Sequence, residues 1–425
     1  MSVPERWPTG SNTATTGATT RAEQLWPYDG ECDFDRMTAS GWSPSPLAEF
    51  VLKIQTRCNL NCDYCYVYNM GDESWKDQPH SMTLAVADQL CRRIAEHAEA
   101  HKLPSVLLSL HGGEPLLRGL QPLQELVELV RARLDHLNLE ISMQTNATLV
   151  DAEVADGLAS LGIRVGVSLD GTDDANGHRL DIHGRRTDER TLAGIRELAA
   201  HDGLFNGILC VIDLRNDPVE VFRTLVETGA PSIDFLVPHG SWMKRPLGKR
   251  STRKGDLSAP APYGEWLVSA FDEWFGWTGR RVKVRIFEDI VHLLLGGEAS
   301  YEVLGLGPAT LVTVEADGAL ELVDHIGVAY DGAEHTGLSV FNSSFDDVLR
   351  HPGVACRQIG VEALVSQCRE CDFAKVCGAG LISHRFDTSG GFLNPTVYCS
   401  DMYHLIGHIQ RELQNRIGAL AARPA

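Results

Sequence analysis

Hydrophobic and polar positions alternate in a regular way from about residue 48 onward. Short apolar runs predict six β-strands, at Phe50–Gln55, Val106–Leu110, Leu139–Gln144, Val165–Leu169, Gly207–Ile212 and Ile233–Val237. Between them, stretches with apolar residues every three or four positions predict helices at about 82–101, 121–135, 151–161, 189–200 and 218–228. This alternation predicts an α/β fold, a parallel sheet with helices outside it. Six β/α units are too few for a closed eight-stranded barrel, so we expect a partial, open (β/α)6 barrel.

The regions on either side of this repeat have a different character. Residues 1–46 are rich in Ser, Thr, Gly and Pro, and we expect a flexible tail before a barrel at 47–240. Residues 241–300 are expected to form a linker and a bridging helix over Tyr263–Trp277, whose aromatic stripe we interpret as packing. The basic loop 244–254 is interpreted as solvated, or as a contact for an acidic leader peptide. Residues 301–425 are expected to form a smaller C-terminal domain with a β-hairpin and a final helix near 400–418.

The charge and the apolar runs exclude some classes of partner. With 38 basic and 57 acidic residues the net charge is −19, which repels phosphate backbones and disfavours nucleic acid. No run of eighteen apolar residues occurs, so we expect no membrane span. The N-terminus lacks the basic-then-apolar pattern of a signal peptide, so we expect a cytoplasmic location.

Eleven cysteines are many for a cytoplasmic protein, and most of them are clustered. Three lie at 58–65 and four at 368–399, a distribution that favours metal binding over a disulfide framework. The solitary cysteines are interpreted as buried small hydrophobic residues; they are Cys32, Cys91, Cys210 and Cys356.

The first cysteine cluster is a C-x3-C-x2-C loop of Cys58, Cys62 and Cys65, directly after the first predicted strand. Thiolates bind iron–sulfur clusters or zinc. Three cysteines leave one iron of a 4Fe–4S cluster open for a ligand, whereas a structural zinc loop needs a fourth local ligand and none is adjacent. The spacing, the strand before it and the aromatic Tyr64 before the last cysteine resemble the radical S-adenosylmethionine (SAM) superfamily.

That resemblance implies a SAM site built from the ends of the next strands. In this family a Gly-Gly-Glu motif after the second strand binds the methionine amino group of SAM, and Gly112-Gly113-Glu114 matches it. Ser168 would touch the SAM ribose, and Arg179 would pair with the SAM carboxylate. We count these residues, together with Tyr64 and Asn146, as candidate SAM contacts, although each polar side chain alone is also typical of a helix cap or turn.

The second cluster, Cys368, Cys371, Cys377 and Cys399, resembles the C-terminal SPASM domain of peptide-modifying radical SAM enzymes. Those domains hold two auxiliary 4Fe–4S clusters. Here Val323 and Leu381 stand at cysteine positions of one of them, and the region Gly305–Asp324 contains no cysteine, so we expect one auxiliary 4Fe–4S cluster. Four thiolates also suit a structural zinc ion.

Asp324 follows the lost cysteine position at the end of the predicted hairpin. The resemblance implies a catalytic base, because the matching aspartate is the proposed base of sulfatase-maturing relatives. The alternative is an ordinary aspartate at the end of a hairpin.

Longer strings resemble one subfamily, the radical SAM/SPASM maturases of FxSxx-COOH peptide systems. They include Leu110–Leu117, Asp213–Pro218 and Asn394–Cys399, and the likeness covers about residues 48–410. It implies a ribosomal precursor peptide as substrate, an electron donor such as flavodoxin or ferredoxin, and cyclophane formation, in which an aromatic ring is joined to a nearby Cβ. Two other functions stay open: a formylglycine-forming sulfatase maturase, and a non-enzymatic metal-binding peptide scaffold.

Overall fold

The computed structural model describes residues 34–249, 253–298 and 302–421. Ten strands form one sheet: β1 Glu49–Gln55, β2 Ser105–Gly112, β3 Asn138–Thr145, β4 Arg164–Ser168, β5 Phe205–Val211, β6 Ser232–Leu236, β7 Lys283–Val284, β8 Leu311–Val314, β9 Ala319–Glu321 and β10 His335–Ser339. Their order is β10-β9-β8-β1-β2-β3-β4-β5-β6-β7. Strands β1 to β7 are parallel to their neighbours, and the order has two ends, so the sheet is open.

Helices lie between most of these strands and also before β1 and after β10 in the chain. They are α1 Phe34–Ala39, α2 Leu84–His101, α3 Leu120–Arg133, α4 Ala152–Ser160, α5 Asp188–Ala199, α6 Pro218–Glu227, α7 Pro262–Gly276, α8 Arg285–Leu294, α9 Phe345–Leu349, α10 Pro352–Ala355, α11 Ser366–Arg369, α12 Ala374–Cys377 and α13 Cys399–Ala421. All six predicted strands and the five helices between them are present, which confirms the α/β fold with a partial barrel.

Local signals explain why the connecting helices begin where they do. Thr83 accepts a hydrogen bond from the backbone N–H of Val86 at the start of α2, and Asp151 does the same for Val154 at the start of α4. These side chains satisfy backbone donors that have no partner inside the helix. Because β1 to β5 run parallel to one another, the loops after β1, β2, β3 and β4 all lie at the same end of the sheet.

The C-terminal hairpin belongs to the same sheet as the barrel. Strand β8 pairs in parallel with β1, with Glu49 opposite Leu311 and Leu52 opposite Val314, while β9 and β10 continue the sheet in antiparallel fashion. This pairing carries Asp324, just after β9, to the edge of the barrel beside β1. The domain boundaries predicted from the sequence stay a prediction.

Two segments differ from the expectations. Residues 34–46 were expected to belong to a flexible tail, but α1 is a helix, and the Ser45 backbone N–H donates to Gln358 Oε1 at 3.0 Å. Helix α8 and strand β7 lie inside the expected linker, and α8 contacts both β6 and α13. The rest of the expected tail, residues 1–33, lies outside the described residues. No helix among the described residues has the length and apolar character needed to cross a membrane.

Candidate active site

Backbone contacts hold the first cysteine loop in place after β1. Leu60 bridges to Asp181, the Asn61 N–H donates to the Leu180 carbonyl at 2.8 Å, and the Cys65 N–H donates to the Cys62 carbonyl at 3.0 Å. The three cysteines are partly exposed and form no disulfide. Burial raises the pKa of the Cys58 thiol to about 11 and that of Cys62 to about 12. The loop is thus a preformed set of thiols whose ionisation needs a positive partner such as iron.

Tyr64 links this loop to the ends of two other elements. Its hydroxyl donates to Asp170 Oδ2, and it accepts a hydrogen bond from the Arg179 guanidinium at 2.8 Å. Asp170 and Arg179 are 3% and 7% exposed. The sequence predicted Tyr64 and Arg179 as SAM contacts; the structure brings them together, and it adds Asp170, which lies just after β4. Their contact with SAM stays a prediction.

A second buried network, which the sequence interpretation missed, supports the same loop. His178 lies between Asp63 and Asp213, with Nδ1 2.7 Å from Asp63 and Nε2 3.2 Å from Asp213. Burial opposes its charge, but hydrogen bonds to Asp213 and Asp63 raise the pKa of His178 to about 9. His178 therefore ties the cysteine loop to the segment after β5, where the Arg215 guanidinium also contacts its Nε2.

The Gly-Gly-Glu motif at the end of β2 is used for packing within the chain. Gly112 has a φ of +129°, and a Cβ there would lie 1.9 Å from the Gln55 carbonyl. A Cβ at Gly113 would lie 2.1 Å from the Tyr68 hydroxyl. These glycines let β2 end directly against the chain that leads into the cysteine loop, and their predicted contact with SAM stays a prediction.

Glu114 is fully buried and already holds three hydrogen bonds. Its carboxylate accepts from Leu116 N at 3.0 Å, Thr145 Oγ1 at 2.7 Å and Asn146 N at 2.8 Å. A carboxylate has about four lone-pair sites, so most of its capacity is committed to joining the ends of β2 and β3. Its predicted contact with the SAM amino group stays a prediction.

Asn146 and Ser168 lie at the ends of the next two strands. The Asn146 amide nitrogen donates to Asn59 Oδ1 at 2.8 Å and lies 3.9 Å from Cys58 Sγ. Ser168 Oγ accepts from the Gln144 side chain at 2.9 Å. Asn146 therefore contacts a cysteine sulfur directly, while a ribose contact by Ser168 stays a prediction.

Asp324 shares a cavity with the Gly112-Gly113 segment. The cavity has a volume of about 30 Å³, and its lining includes Lys53, Tyr66 and Tyr68. Lys53 Nζ lies 2.7 Å from Asp324 Oδ2, and both side chains are nearly buried. The second oxygen, Asp324 Oδ1, is buried and accepts no hydrogen bond from any described residue. The structure thus leaves one oxygen of this carboxylate for another group.

Electrostatics single out Asp324 among the carboxylates of this cavity. Burial alone would raise the pKa of Asp324, but Lys53, and after it His111, hold it below its usual range. By contrast, burial raises the pKa of Glu315, Glu321 and Glu334. Asp324 is therefore ionised at neutral pH in a site where its neighbours favour the protonated form.

Neighbouring histidines stay neutral at physiological pH. Burial lowers the pKa of His111 and His325 to about 4 and that of His239 to about 3. Near pH 7 these three side chains are therefore uncharged, whereas Asp324 is ionised.

The second cysteine set comes together from three short elements. Cys368 and Cys377 lie in α11 and α12, Cys371 lies between them, and Cys399 begins α13. Burial and then the neighbouring cysteines raise the pKa of the Cys377 thiol to about 12, and the same causes raise the pKa of Cys399. The four thiols are therefore close enough to influence one another's charge.

Val323 and Leu381, which stand where the resemblance implies cysteines, differ in their surroundings. Val323 is 4% exposed and belongs to the hydrophobic core, and Leu381 stands directly before a 310 turn at Ile382–Arg385. Arg385 donates to the carbonyls of Gly378, Ala379 and Gly380 and so holds the loop after Cys377. One complete set of four cysteines remains.

Sulfur spacing tests which metal group fits these cysteines. Zinc–sulfur bonds of about 2.3 Å place the sulfurs around one ion no more than about 4.6 Å apart. Among the described residues, no three cysteine sulfurs lie within 4.8 Å of one another. Both sets are spread wider than a single zinc ion requires, which fits the larger 4Fe–4S cluster and disfavours the zinc alternative.

Other predicted positions have simpler roles. Cys91, Cys210 and Cys356 are 1–2% exposed, which confirms their interpretation as buried hydrophobic residues, and Cys32 lies outside the described residues. Lys249, expected in a solvated loop, is instead buried with its Nζ 2.5 Å from Asp401 Oδ2, beside Cys399. This ion pair ties the basic loop to the second cysteine set, and no local pattern of residues indicates it.

Comparison with known proteins agrees with this geometry. Residues 52–225 match the family model of the radical SAM superfamily. A serine-type anaerobic sulfatase-maturating enzyme of Bacteroides thetaiotaomicron is 24% identical over 407 residues, covering 89% of this chain and 95% of the relative.

Solved structures share the fold as well. The structure of anSMEcpe with bound AdoMet and Cp18Cys peptide has a TM-score of 0.71 at 22% identity, covering 88% of this chain and all of the other. Streptococcus suis SuiB bound to precursor peptide SuiA has a TM-score of 0.57 at 15% identity, covering 86% and 78%. Residues 52–225 therefore match a radical SAM domain, and the chain shares its α/β fold with anSMEcpe and SuiB.

Proposed function

We propose that this protein is a radical SAM enzyme that removes two hydrogens from a peptide or protein substrate. One observation carries the proposal: Asp324, an ionised carboxylate with a free Oδ1, lines the same cavity as the Gly112-Gly113 segment at the end of β2. A base beside a radical-generating site is needed wherever hydrogen-atom abstraction is followed by loss of a proton.

Two groups of residues would hold the cofactors. Cys58, Cys62 and Cys65 would hold a 4Fe–4S cluster with SAM, and the second set would hold one auxiliary cluster through Cys368, Cys371, Cys377 and Cys399. When bound, the first cluster and SAM together would supply a 5′-deoxyadenosyl radical that takes a hydrogen atom from a substrate carbon. The auxiliary cluster would supply an acceptor for one electron. Asn146 and the Tyr64–Arg179 pair would position the cluster loop and SAM.

The chain's own acid–base chemistry then falls to Asp324. After a hydrogen atom has left the substrate, one proton and one electron must still leave to complete the two-hydrogen oxidation. Asp324 Oδ1 would accept the proton, while Lys53 holds Oδ2 and keeps the carboxylate ionised. The buried histidines around it would help to exclude water from this carboxylate.

The relatives support one product most directly. The chain covers 95% of a protein named as a serine-type sulfatase-maturating enzyme, and the resemblance of Asp324 to the base of such enzymes agrees with it. The substrate would then be a serine or cysteine residue of a sulfatase. Loss of two hydrogens converts serine directly to the aldehyde formylglycine, whereas it converts cysteine to a thioaldehyde, which water hydrolyses to formylglycine with release of hydrogen sulfide.

A second product is favoured by the lost cysteine set. Val323 and Leu381 replace ligands of one auxiliary cluster, and strings such as Asn394–Cys399 resemble the FxSxx-COOH maturases. The solved structure of SuiB holds a precursor peptide, and this chain shares its fold. The same loss of two hydrogens would then form a cyclophane between an aromatic ring and a nearby Cβ of a ribosomal precursor peptide.

The test uses the reconstituted full chain under anaerobic conditions with SAM, dithionite and two probes. One is the Cp18Cys peptide, and the other is the short peptide encoded beside the gene. An aldehyde trapped by a hydrazide would support the sulfatase-type product, and a loss of two hydrogens with no aldehyde would support the crosslink. If neither probe changes mass while SAM is cleaved, the proposed substrate class is wrong.

Asp324→Asn separates the base from radical formation. We expect the variant to release 5′-deoxyadenosine but to form at least about 100-fold less product, the usual range for loss of a general base. Asp317→Asn, in the turn of the same hairpin, is the matched control and should behave like the wild type. Equal product from Asp324→Asn would exclude Asp324 as the base.

A further inference from the structure

A group of ligating atoms outside both cysteine sets lies at the hairpin beside the cavity. One carboxylate oxygen each from Asp72 and Glu334 and one ring nitrogen of His335 all lie within 4.8 Å of one another. His335 Nε2 is also 3.3 Å from Glu321 Oε1 and 3.5 Å from Glu334 Oε1. Asp72 comes from the loop after the first cysteine motif, whereas the other residues come from β9 and the start of β10, so two distant chain segments meet here.

Glu334 provides an independent sign that this group has a further partner. The residue is 3% exposed, and its Oε2 is buried with no hydrogen-bond donor among the described residues. A Cβ on Gly327 would lie 2.7 Å from this oxygen, so the backbone closes that side. A buried carboxylate oxygen without a partner is costly, and native proteins pair such atoms with a donor or a metal ion.

The charge around the group points to a cation. Asp72, Glu321 and Glu334 line the same cavity as Asp324, and Lys53 is the single Lys or Arg among its described lining residues. Lys53 is committed to Asp324 at 2.7 Å. Without another positive charge the group has to hold protons, because burial and then Asp72 raise the pKa of Glu334 to about 9.

We propose that Asp72, Glu334 and His335 bind one divalent metal ion, beside the carboxylate of Glu321. Carboxylate oxygens with one imidazole suit borderline ions such as Mn²⁺ and Zn²⁺ better than soft ions, and they differ from the all-cysteine sets that suit iron–sulfur clusters. The ion would join the loop after the first cysteine motif to the hairpin that carries Asp324. Its role would be to fix one wall of the cavity.

A second group of similar composition shows why geometry alone is not sufficient. His97, His101 and Asp346 also lie within 4.8 Å of one another. There the Asp346 side chain is 54% exposed and its Oδ1 meets both histidines at 2.8–2.9 Å, while His97 Nε2 accepts from the Leu47 backbone N–H. This group is a satisfied surface ion pair and therefore serves as a matched control.

The test measures Mn²⁺ binding to the reconstituted full chain by the electron paramagnetic resonance signal of free Mn²⁺. Mn²⁺ is the right probe because it binds poorly to thiolates and leaves the cysteine sets alone. We expect one tight Mn²⁺ per wild-type chain and at least about 10-fold weaker binding in Glu334→Gln, which keeps the size of the side chain. His101→Gln should bind as the wild type does.

Thermal unfolding gives a second readout that does not depend on catalysis. Mn²⁺ should raise the Tm of the wild type and of His101→Gln but leave that of Glu334→Gln unchanged. If Glu334→Gln folds poorly, Asp72→Asn replaces it, and Mn²⁺ should likewise leave the Tm of that variant unchanged. The proposal is overturned if the wild type binds no stoichiometric Mn²⁺ or if Glu334→Gln binds it equally well; a protonated Glu334 would then explain the group. Either outcome leaves the proposed radical chemistry untouched.

Discussion

Replacing Lys53 with Met tests whether a buried cation sets the charge of Asp324. Lys53 is 5% exposed, lies in the middle of β1, and places its Nζ 2.7 Å from Asp324 Oδ2 and 3.8 Å from Glu315 Oε1. Met fills nearly the same volume without the charge, so the change isolates the ion pair from packing.

The expected cost follows from burial. Removing one partner of a buried pair leaves the other charge unpaired and typically costs about 3–5 kcal/mol. The entropy of unfolding is about 2 cal/mol/K per residue, so that of the whole chain of 425 residues is about 0.9 kcal/mol/K. Lys53→Met should therefore lower the Tm by about 3–6 °C at pH 7.5, measured by differential scanning calorimetry of the reconstituted protein.

The deficit should depend on pH in a defined direction. Lys53 lowers the pKa of Asp324, so in the wild type the pair stabilises the fold above the ordinary value of 3.8 and loses that effect only as pH falls through the lowered folded value. In Lys53→Met, burial acts alone and raises the pKa of Asp324, which then takes up a proton. The difference in Tm between variant and wild type should shrink as pH falls from 7.5 toward 5.

Two further variants make the result decisive. The double variant Lys53→Met/Asp324→Asn should recover most of the lost Tm, because no buried charge is left unpaired. Lys76→Met removes a half-exposed lysine paired with Glu73 and should change the Tm by less than about 1 °C. A Tm for Lys53→Met within 1 °C of the wild type, or a double variant no better than the single, would refute the reasoning.

Two other substitutions test the scaffold around the cysteine sets. Glu114→Gln would replace one carboxylate oxygen by an amide N–H₂, which would face hydrogen-bond donors in place of an acceptor. The loss should lower the free energy of unfolding by about 1–3 kcal/mol. The exposed Glu125→Gln should change it by less than about 0.5 kcal/mol in the same calorimetry. Gly378→Ala places a Cβ 1.7 Å from the Gly305 carbonyl at a φ of +57° and should reduce iron from about eight to about four per chain; Gly184→Ala, at a φ of +76° with open space, should keep all of it. Unchanged iron in Gly378→Ala would show that the loop after Cys377 does not need this packing.

The sequence was informative where the hydrophobic pattern is local. Each barrel strand is a short apolar run bounded by turn residues, and the cysteines that end β1 are adjacent in the chain, so both could be predicted. The parallel pairing of β8 with β1 depends on contacts about 260 positions apart, which no local period reports. The two-residue strand β7 is too short to leave a pattern at all.

The charged network of the site was also hard to predict, because its partners are far apart in the sequence. Lys53 stands in an apolar strand and has its partner at Asp324, and His178 joins Asp63 to Asp213 across three separate loops. Neither histidine nor lysine carries a spacing signal by itself. The one available sign was a lysine in the middle of a buried strand, since such a residue needs an anion opposite it.

SAM cleavage is the most direct measurement of the central claim. Reconstituted protein with SAM and dithionite should release 5′-deoxyadenosine, detected by liquid chromatography with mass spectrometry. The triple variant Cys58→Ala/Cys62→Ala/Cys65→Ala should release none, whereas Cys91→Ala, which removes a buried cysteine outside both sets, should retain the activity. Equal release from the triple variant, or none from wild-type protein with its iron in place, would contradict the account.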